Sequence, residues 1–137
     1  MPMFGTVAAD GSEPLLPLAL LGAAENGSGR RENIEAVIDT GFDGELTLQE
    51  ATIRRLGYPY SGSAGGTLAD GSEVQFDYYE GRVLWHGFEC PVAVIGAEGQ
   101  PLIGMGLLGG SRLTLDAEPD GEVLVENLAK ERAEERA

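Results

Sequence analysis

The stretch EAVIDTGFDGELTL, residues 35–48, carries the residues whose types and spacing best suit chemistry. An apolar run ends at Asp39-Thr40-Gly41, and a second acid, Asp43, follows four positions after Asp39. Two interpretations are open. An aspartate next to a glycine is common in turns, where it caps the backbone. Alternatively, Asp39 is a catalytic acid, since a carboxylate at the end of a buried strand must be satisfied by its neighbours. Thr40 and Gly41 offer a hydroxyl and a closely approaching N–H for that purpose, and the carboxylate should be largely shielded.

Hydrolysis of a peptide bond without a metal needs an acid and a base around one water molecule. Two aspartates held close together cannot both ionise, so they share a proton and divide these roles. The sequence contains a single Asp-Thr-Gly. If this motif is catalytic, its second copy has to come from another chain related by a two-fold axis. Asp43 is interpreted as a residue at the rim of the site or in a supporting network, since it lies in the turn beyond Gly41.

Few residues are available for other chemistries. Cys90 is the only cysteine, so the sequence offers neither an intrachain disulfide nor a cysteine-based metal cluster. His86 is the only histidine, so a serine or cysteine triad would have to use it. Its position before Gly87 predicts a turn at the surface. No phosphate-binding loop is present, and we expect neither a cofactor nor a metal.

Length and composition predict one soluble domain rich in short strands. The chain has 137 residues, 42% of them hydrophobic, with 21 glycines and 7 prolines that indicate frequent turns. The net charge of −14, with only nine Lys and Arg, disfavours a nucleic acid partner. The apolar run 14–24 contains two prolines, follows no cationic residue and is too short to cross a bilayer. We therefore expect a cytoplasmic protein with no membrane partner.

Apolar periodicity predicts mostly strands and one clear helix. The helix is predicted within 49–58, where apolar residues recur at near-helical spacing and Gly57 ends it. Asn26-Gly27, Asp70-Gly71 and Asp120-Gly121 predict hairpin turns. The segments that read as strands or strand hairpins are 3–9, 15–22, 34–39, 45–48, 67–85, 88–96 and 112–127.

The C-terminal region is predicted to be a separate, charged tail. Residues 1–125 are assigned to a single domain and residues 126–137 to the tail, whose Lys130 and Glu134 are four positions apart. A helix this short with little apolar face is marginal in water on its own. The tail is therefore expected to be frayed or docked on a partner.

The segment AVIDTGFDGELTL, followed much later by PLIGMGLL, resembles the retropepsin-like aspartic proteases, the single-domain dimeric relatives of pepsin. The motifs occur in the family's order, with Asp39-Thr40-Gly41 first, TLADGSEV next and Leu102-Ile103-Gly104 last. Phe42 points to the bacterial and archaeal branch, whose motif reads Asp-Thr-Gly-Phe. The resemblance covers about residues 15–118. It implies an all-β fold, the closed β-barrel of the acid proteases, with one or two short helices.

The resemblance also implies an activity and a set of site residues. The protein would be an aspartic endopeptidase, active as a homodimer on a peptide or protein substrate. Asp39, Thr40 and Gly41 would be catalytic, and Leu102-Ile103-Gly104 would pack beneath their loop. The hairpin around Asp70 would be a flap that closes over substrate. The residues implied to bind substrate are Phe42, Asp43, Leu68, Ala69, Asp70, Gly71 and Ser72.

Three features depart from the retroviral members of that family. Met105 stands where they carry an arginine that pairs with the acid near the catalytic loop, here Asp43. The chain ends in a charged tail rather than an interface strand, and the flap tip is more polar. An alternative therefore stays open, in which the same fold is a non-catalytic module that binds peptides or a partner protein.

Overall fold

The computed structural model describes residues 1–23, 29–129 and 132–133. Within them lie ten strands and two short helices. In chain order they are β1 (Met3–Val7), β2 (Pro14–Leu21), β3 (Arg31–Ile38), β4 (Leu46–Leu48), α1 (Glu50–Leu56), β5 (Tyr60–Thr67), β6 (Glu73–Trp85), β7 (Phe88–Gly96), β8 (Leu102–Ile103), α2 (Met105–Leu108), β9 (Ser111–Leu115) and β10 (Glu122–Asn127). The predicted turn at Asn26-Gly27 and the spaced charges Lys130 and Glu134 lie outside the described residues.

The ten described strands form one sheet, in the order β5-β6-β7-β4-β8-β3-β2-β1-β10-β9. β2 also pairs with β6, where Leu20 lies opposite Val83 and Leu21 opposite Arg82. As a result, six strands form a continuous ring of pairings, in the order β6, β7, β4, β8, β3, β2 and back to β6. β1, β10 and β9 extend from β2, and β5 extends from β6. The prediction of a mostly-β fold with one or two short helices is confirmed.

The core is built from strand residues that alternate inward, as β2 illustrates. Leu16, Leu18 and Leu20 are buried, whereas the residues between them are more exposed. In β10 the same alternation of side chains between the two faces buries Val123 and Val125. Burial of these apolar side chains supplies the main favourable term in folding. In the part of the chain that the structure describes, every helix is too short to cross a membrane.

The residues of β3 are partly exposed at its start and buried at its end, and the buried end positions Asp39. Its first half alternates in exposure, but Ala36, Val37 and Ile38 are all buried. β2 pairs with β3 from Arg31 to Val37, whereas β8 pairs with it, in parallel, only at Val37 and Ile38. The end of β3 is thus hydrogen-bonded on both edges, and Asp39 follows directly from this enclosed position.

The short helix α1 confirms the helix predicted from the apolar spacing. It begins at Glu50 and ends at Leu56. Gly57 then adopts a left-handed conformation, with φ 71°. Its N–H donates to the carbonyl of Arg54, and the N–H of Tyr58 donates to that of Ile53. A glycine suits this position because a side chain there would be strained. The turn redirects the chain into β5, at the base of the hairpin predicted to be a flap.

The prediction that His86 lies at the surface is wrong, because its side chain is only 6% exposed. His86 and Gly87 form the two-residue turn between β6 and β7, with φ values of 52° and 85°. The imidazole Nε2 lies 2.8 Å from Ser111 Oγ, and the backbone N–H of His86 contacts Met3 Sδ at 3.4 Å. Strands β1 and β9 therefore cover a turn that would otherwise face solvent.

The stability of the fold should depend on pH through His86. Burial lowers the pKa of His86 below its ordinary value of 6.5, because the charged imidazolium would lose its hydration. As the pH falls through 6.5, the unfolded chain binds more protons than the folded chain, so the free energy of unfolding decreases. Between about pH 7.5 and pH 5, we expect the wild type to lose more stability than His86→Gln. Urea denaturation at several pH values measures this difference, and parallel profiles for the two proteins would contradict it.

Candidate active site

The candidate site is centred on Asp39, whose backbone is fixed by two hydrogen bonds. The N–H of Asp39 donates to the carbonyl of Ile103 at 2.9 Å, which continues the pairing of β3 with β8 by one residue. The carbonyl of Asp39 accepts from the N–H of Phe42 at 3.1 Å, which closes a turn over Thr40 and Gly41. The chain thus leaves the enclosed strand and turns at once, as the sequence predicts.

The Asp39 carboxylate is oriented by its own loop. Its Oδ1 accepts a hydrogen bond from the N–H of Gly41 at 2.9 Å. The side chain is only half-buried, which differs from the largely shielded carboxylate expected from sequence. The difference arises because the enclosing strands surround the backbone of β3 but end where the side chain begins. Within one chain, the carboxylate is positioned but still accessible.

Ile103 fixes both ends of the loop that carries Asp39. It lies opposite Ile38 in a parallel pairing and opposite Leu46 in an antiparallel pairing. β8 therefore lies between β3 and β4, the strands that enter and leave the loop. In addition, the N–H of Leu102 donates to Thr47 Oγ1 at 2.9 Å. The Leu102-Ile103-Gly104 segment packs against this loop, as the resemblance implies.

The loop rests on the start of α2 through three further backbone hydrogen bonds. They run from the N–H of Met105 to the carbonyl of Phe42 (2.7 Å), from Gly106 to Gly44 (2.9 Å) and from Gly104 to Glu45 (3.0 Å). A Cβ atom on Gly104 would overlap the carbonyl oxygen of Gly44 and would lie 2.7 Å from that of Phe42. The two backbones approach this closely only because residue 104 is a glycine.

The other predicted residues of this loop differ in exposure. The ring of Phe42 is half-buried and packs against Gly44 and Gly104. Thr40 and Asp43 are exposed. Asp43 takes part in neither ion pair between described residues, which are Arg55–Glu32 and Arg82–Glu89. Thr40 and Asp43 thus present their side chains to solvent, beside Asp39.

The predicted flap tip lies between β5 and β6, and its five residues, 68–72, are exposed. The N–H of Leu68 donates to the carbonyl of Ser72 at 2.8 Å. Ser72 donates from both its hydroxyl and its N–H to Asp70 Oδ1, at 2.6 and 2.9 Å. These two hydrogen bonds hold the pKa of Asp70 below its ordinary value. Between described residues, no hydrogen bond joins this tip to the Asp39 loop.

Glu45 is a residue of this region that the sequence interpretation did not identify. Its Oε1 accepts a hydrogen bond from the N–H of Ala93 at 3.0 Å, just before β7 begins to pair with β4 at Val94. It also lines a surface groove of about 680 Å³ at the base of the β5–β6 hairpin, which residues 39–43 do not line. No local sequence signal marks this role, because Ala93 is 48 positions away. In the described part of the chain, no three His, Cys, Asp or Glu side chains are grouped so as to hold a metal ion.

Sequence comparison gives no match to a family model or to a curated protein. Among solved structures, the chain is similar to the crystal structure of a retropepsin-like aspartic protease from Rickettsia conorii, with a TM-score of 0.55. The alignment covers 92% of this chain and 90% of that chain, at 15% sequence identity. The two chains share a fold.

At this identity the likeness concerns the fold alone. The alignment leaves out less than a tenth of this chain, so the shared fold is not limited to one part of it. The fold implied by the sequence resemblance is therefore supported by an independent comparison of coordinates. The roles of individual residues have to be argued from the geometry of this chain.

Proposed function

We propose that this protein is an aspartic endopeptidase that acts as a homodimer. The observation that carries the proposal is the Asp39 carboxylate, held by the Gly41 N–H at the end of an enclosed strand and still accessible. It occurs in a chain whose fold is similar to that of a retropepsin-like aspartic protease. A carboxylate presented in this way suits proton transfer, because it is fixed in orientation and open on one side.

The chemistry requires two copies of Asp39, one from each chain. A pair of carboxylates at close distance shares one proton, since both cannot be ionised together. The pair holds a water molecule. The oxygen of this water attacks the scissile carbonyl carbon, and the ionised carboxylate takes a proton from the water at the same time. The protonated carboxylate donates its proton to the carbonyl oxygen. Collapse of the tetrahedral intermediate, with a proton passed to the amide nitrogen, then breaks the peptide bond.

The remaining predicted residues support this reaction. Thr40 joins the two loops across the dyad, and Gly41 allows them to approach. Phe42 and Asp43 line the site beside each carboxylate. The flap tip, Leu68 to Ser72, covers an extended substrate whose backbone is held by strand-like hydrogen bonds. The substrate is therefore a peptide or an extended protein segment.

We propose that the chain has the closed β-barrel of the acid proteases, which the six-stranded ring of pairings supports, and that it belongs to their bacterial and archaeal branch, which the Asp-Thr-Gly-Phe motif supports. The division into a domain of residues 1–125 and a tail of residues 126–137 stays a prediction. A cytoplasmic location stays a prediction as well.

Activity should depend on the concentration of the protein itself. Since each chain supplies half of the dyad, cleavage per chain should rise with concentration until dimers predominate, and solution mass should rise over the same range. The assay is cleavage of a diverse peptide library between about pH 4 and pH 7, where a shared-proton dyad is active. A protein that stays monomeric at high concentration would contradict the mechanism. Peptide binding without cleavage by such a monomer would identify the non-catalytic module.

A further inference from the structure

The groove at the base of the β5–β6 hairpin is separate from the loop that carries Asp39. Its volume of about 680 Å³ lies within the range of about 300–1,000 Å³ that is usual for ligand sites. Among the described residues, its lining includes none of 39–43 and none of the hairpin tip at 68–72. The proposed reaction does not use this groove. The lining residues that determine its chemistry are Glu45, Pro59, Tyr79, Glu80, Arg82 and Pro91.

Arg82 is the one cationic residue in the described lining of the groove, and its charge is already neutralised. Its guanidinium donates to Glu89 Oε2 at 2.6 Å and to the carbonyl of Gly22 at 2.8 Å. Glu89 lies outside the lining, so this ion pair offsets the charge of Arg82 without using an acid of the groove. An anionic ligand would therefore have to displace Glu89.

The two acids of the groove, in contrast, have no cationic partner among the described residues. Glu80 is exposed, and its carboxylate takes part in neither ion pair between described residues. Glu45 is half-buried, and its Oε1 accepts the N–H of Ala93 at 3.0 Å, whereas its Oε2 accepts no hydrogen bond from a described residue. Ala93 lies opposite Glu80 in the pairing of β6 with β7. The two acids thus lie on either side of Ala93, and both line the groove.

Apolar surface lies beside these acids, since Pro59, Pro91 and Tyr79 also line the groove. The Tyr79 ring is held in place, because its hydroxyl donates to Glu50 Oε2 at 3.1 Å and the ring meets that of Tyr60 in a T-shaped contact. Lysine and arginine side chains combine an apolar stem with a charged end. The groove therefore matches both parts of a basic side chain.

We propose that this groove binds a lysine or arginine side chain of an extended peptide segment, outside the site at Asp39. The apolar stem lies against the prolines and Tyr79, and the cation lies between Glu45 and Glu80. The net charge of −14 favours such an occupant, because it attracts basic segments from a distance. This inference, which rests on the proposed function where it concerns substrates, names their class as peptides or proteins with a basic segment near the scissile bond.

The distance between Glu45 and Asp39 is limited by backbone pairing. The N–H of Gly104 donates to the carbonyl of Glu45, and the N–H of Asp39 donates to that of Ile103, the residue before Gly104. Paired backbones are about 5 Å apart and consecutive Cα atoms about 3.8 Å, so the Cα atoms of Asp39 and Glu45 lie within about 15 Å. About four or five extended residues are long enough to span this distance. We expect the basic side chain at this separation from the scissile bond.

The test measures the binding of fluorescein-labelled hexalysine by fluorescence anisotropy at low salt. The Asp39→Asn chain is used throughout, so that the probe stays intact. Glu80→Gln should raise the dissociation constant about threefold and Glu45→Gln/Glu80→Gln about tenfold, as expected for the loss of one and of two accessible ion pairs. Glutamine at position 45 keeps an oxygen for the Ala93 N–H, so the groove should keep its shape, and urea denaturation of each variant checks this.

Glu118→Gln is the matched control, because it removes the same charge at an exposed position where only backbone atoms form hydrogen bonds between described residues. It should leave the dissociation constant unchanged. Equal effects of Glu118→Gln and Glu80→Gln would show only a general attraction between a negative protein and a positive peptide, and would overturn the inference. Labelled hexaglutamate that binds as tightly as hexalysine would also overturn it, since Arg82 would then be the binding group.

A second measurement links the groove to the choice of substrate. A peptide that the wild type cleaves is synthesised with three lysines or three serines, starting about four residues from the scissile bond on either side. Glu80→Gln should raise KM for the lysine peptide about threefold and leave kcat unchanged, whereas KM for the serine peptide should not change. An unchanged KM for the lysine peptide would overturn this inference alone. Glu80-dependent binding of hexalysine by a protein that cleaves no peptide would uphold the groove and overturn the proposed function.

Discussion

Asp39→Asn is expected to reduce peptide cleavage about 10³-fold, because it removes the group that takes and returns the proton in both chains. The asparagine side chain keeps an oxygen that can accept the Gly41 N–H, so the loop should hold its conformation. Cleavage of the peptide library at matched protein concentration measures the effect. Cleavage by Asp39→Asn at the wild-type rate would refute the assignment.

A control and a mixing experiment separate catalysis from stability. Asp116→Asn removes the same charge at an exposed position where only backbone atoms form hydrogen bonds, and it should retain full activity. When wild type and Asp39→Asn are mixed in equal amounts and allowed to exchange, only dimers with two intact copies should cleave. The total activity should then fall to about one quarter of that of the unmixed wild type at the same total concentration, whereas independent sites would retain about one half.

Gly104→Ala is expected to destabilise the fold by about 3 kcal/mol, at the upper end of the usual cost of overpacking. The added methyl group would overlap the Gly44 carbonyl oxygen and would lie 2.5 Å from a ring carbon of Phe42. Backbone atoms cannot rotate away as a long side chain can, so the Asp39 loop has to move from its position on α2. Urea denaturation should show the loss of stability, and peptide cleavage should fall in parallel.

Gly109→Ala provides the matched control, five residues further along the chain. A Cβ atom there would lie 3.5 Å from the nearest atom, the carbonyl oxygen of Gly106, which is an ordinary contact. Its φ of −49° and ψ of 130° also suit alanine. The free energy of unfolding of Gly109→Ala should therefore lie within about 0.5 kcal/mol of the wild-type value, as it does for most surface substitutions. Equal stability of the two variants would show that the loop does not depend on Gly104.

Elements set by local interactions could be predicted from the sequence. The helix ending at Gly57 is one case, since apolar spacing and a left-handed glycine define it within one segment. The hairpin tip at Asp70-Gly71 is another, because Asp70 is satisfied by Ser72 two residues away. The turn after Asp39 belongs to the same class, because its hydrogen bonds join residues two and three positions apart.

Features set by distant contacts could not be predicted in this way. His86 looked like a surface turn residue because the strands that cover it, through Met3 and Ser111, lie 83 and 25 positions away. The four-residue helix α2 is too short to show a period. The insertion of β8 between β3 and β4 depends on pairings of Ile103 with Ile38 and Leu46, which no local pattern reveals.

The loop that carries Asp39 rests on main-chain atoms, and this has a consequence for how the protein can vary over evolutionary time. Its contacts with α2 join N–H groups to carbonyls, and they require close approach at Gly104 and at Gly106, where a Cβ atom would lie 2.9 Å from the carbonyl oxygen of Gly44. Such an arrangement persists while most residues around it are exchanged, because the main chain is common to all of them. This chain and the Rickettsia conorii protease accordingly share a fold at 15% sequence identity. The side chains around the loop can therefore vary widely while the main-chain contacts that hold Asp39 stay the same.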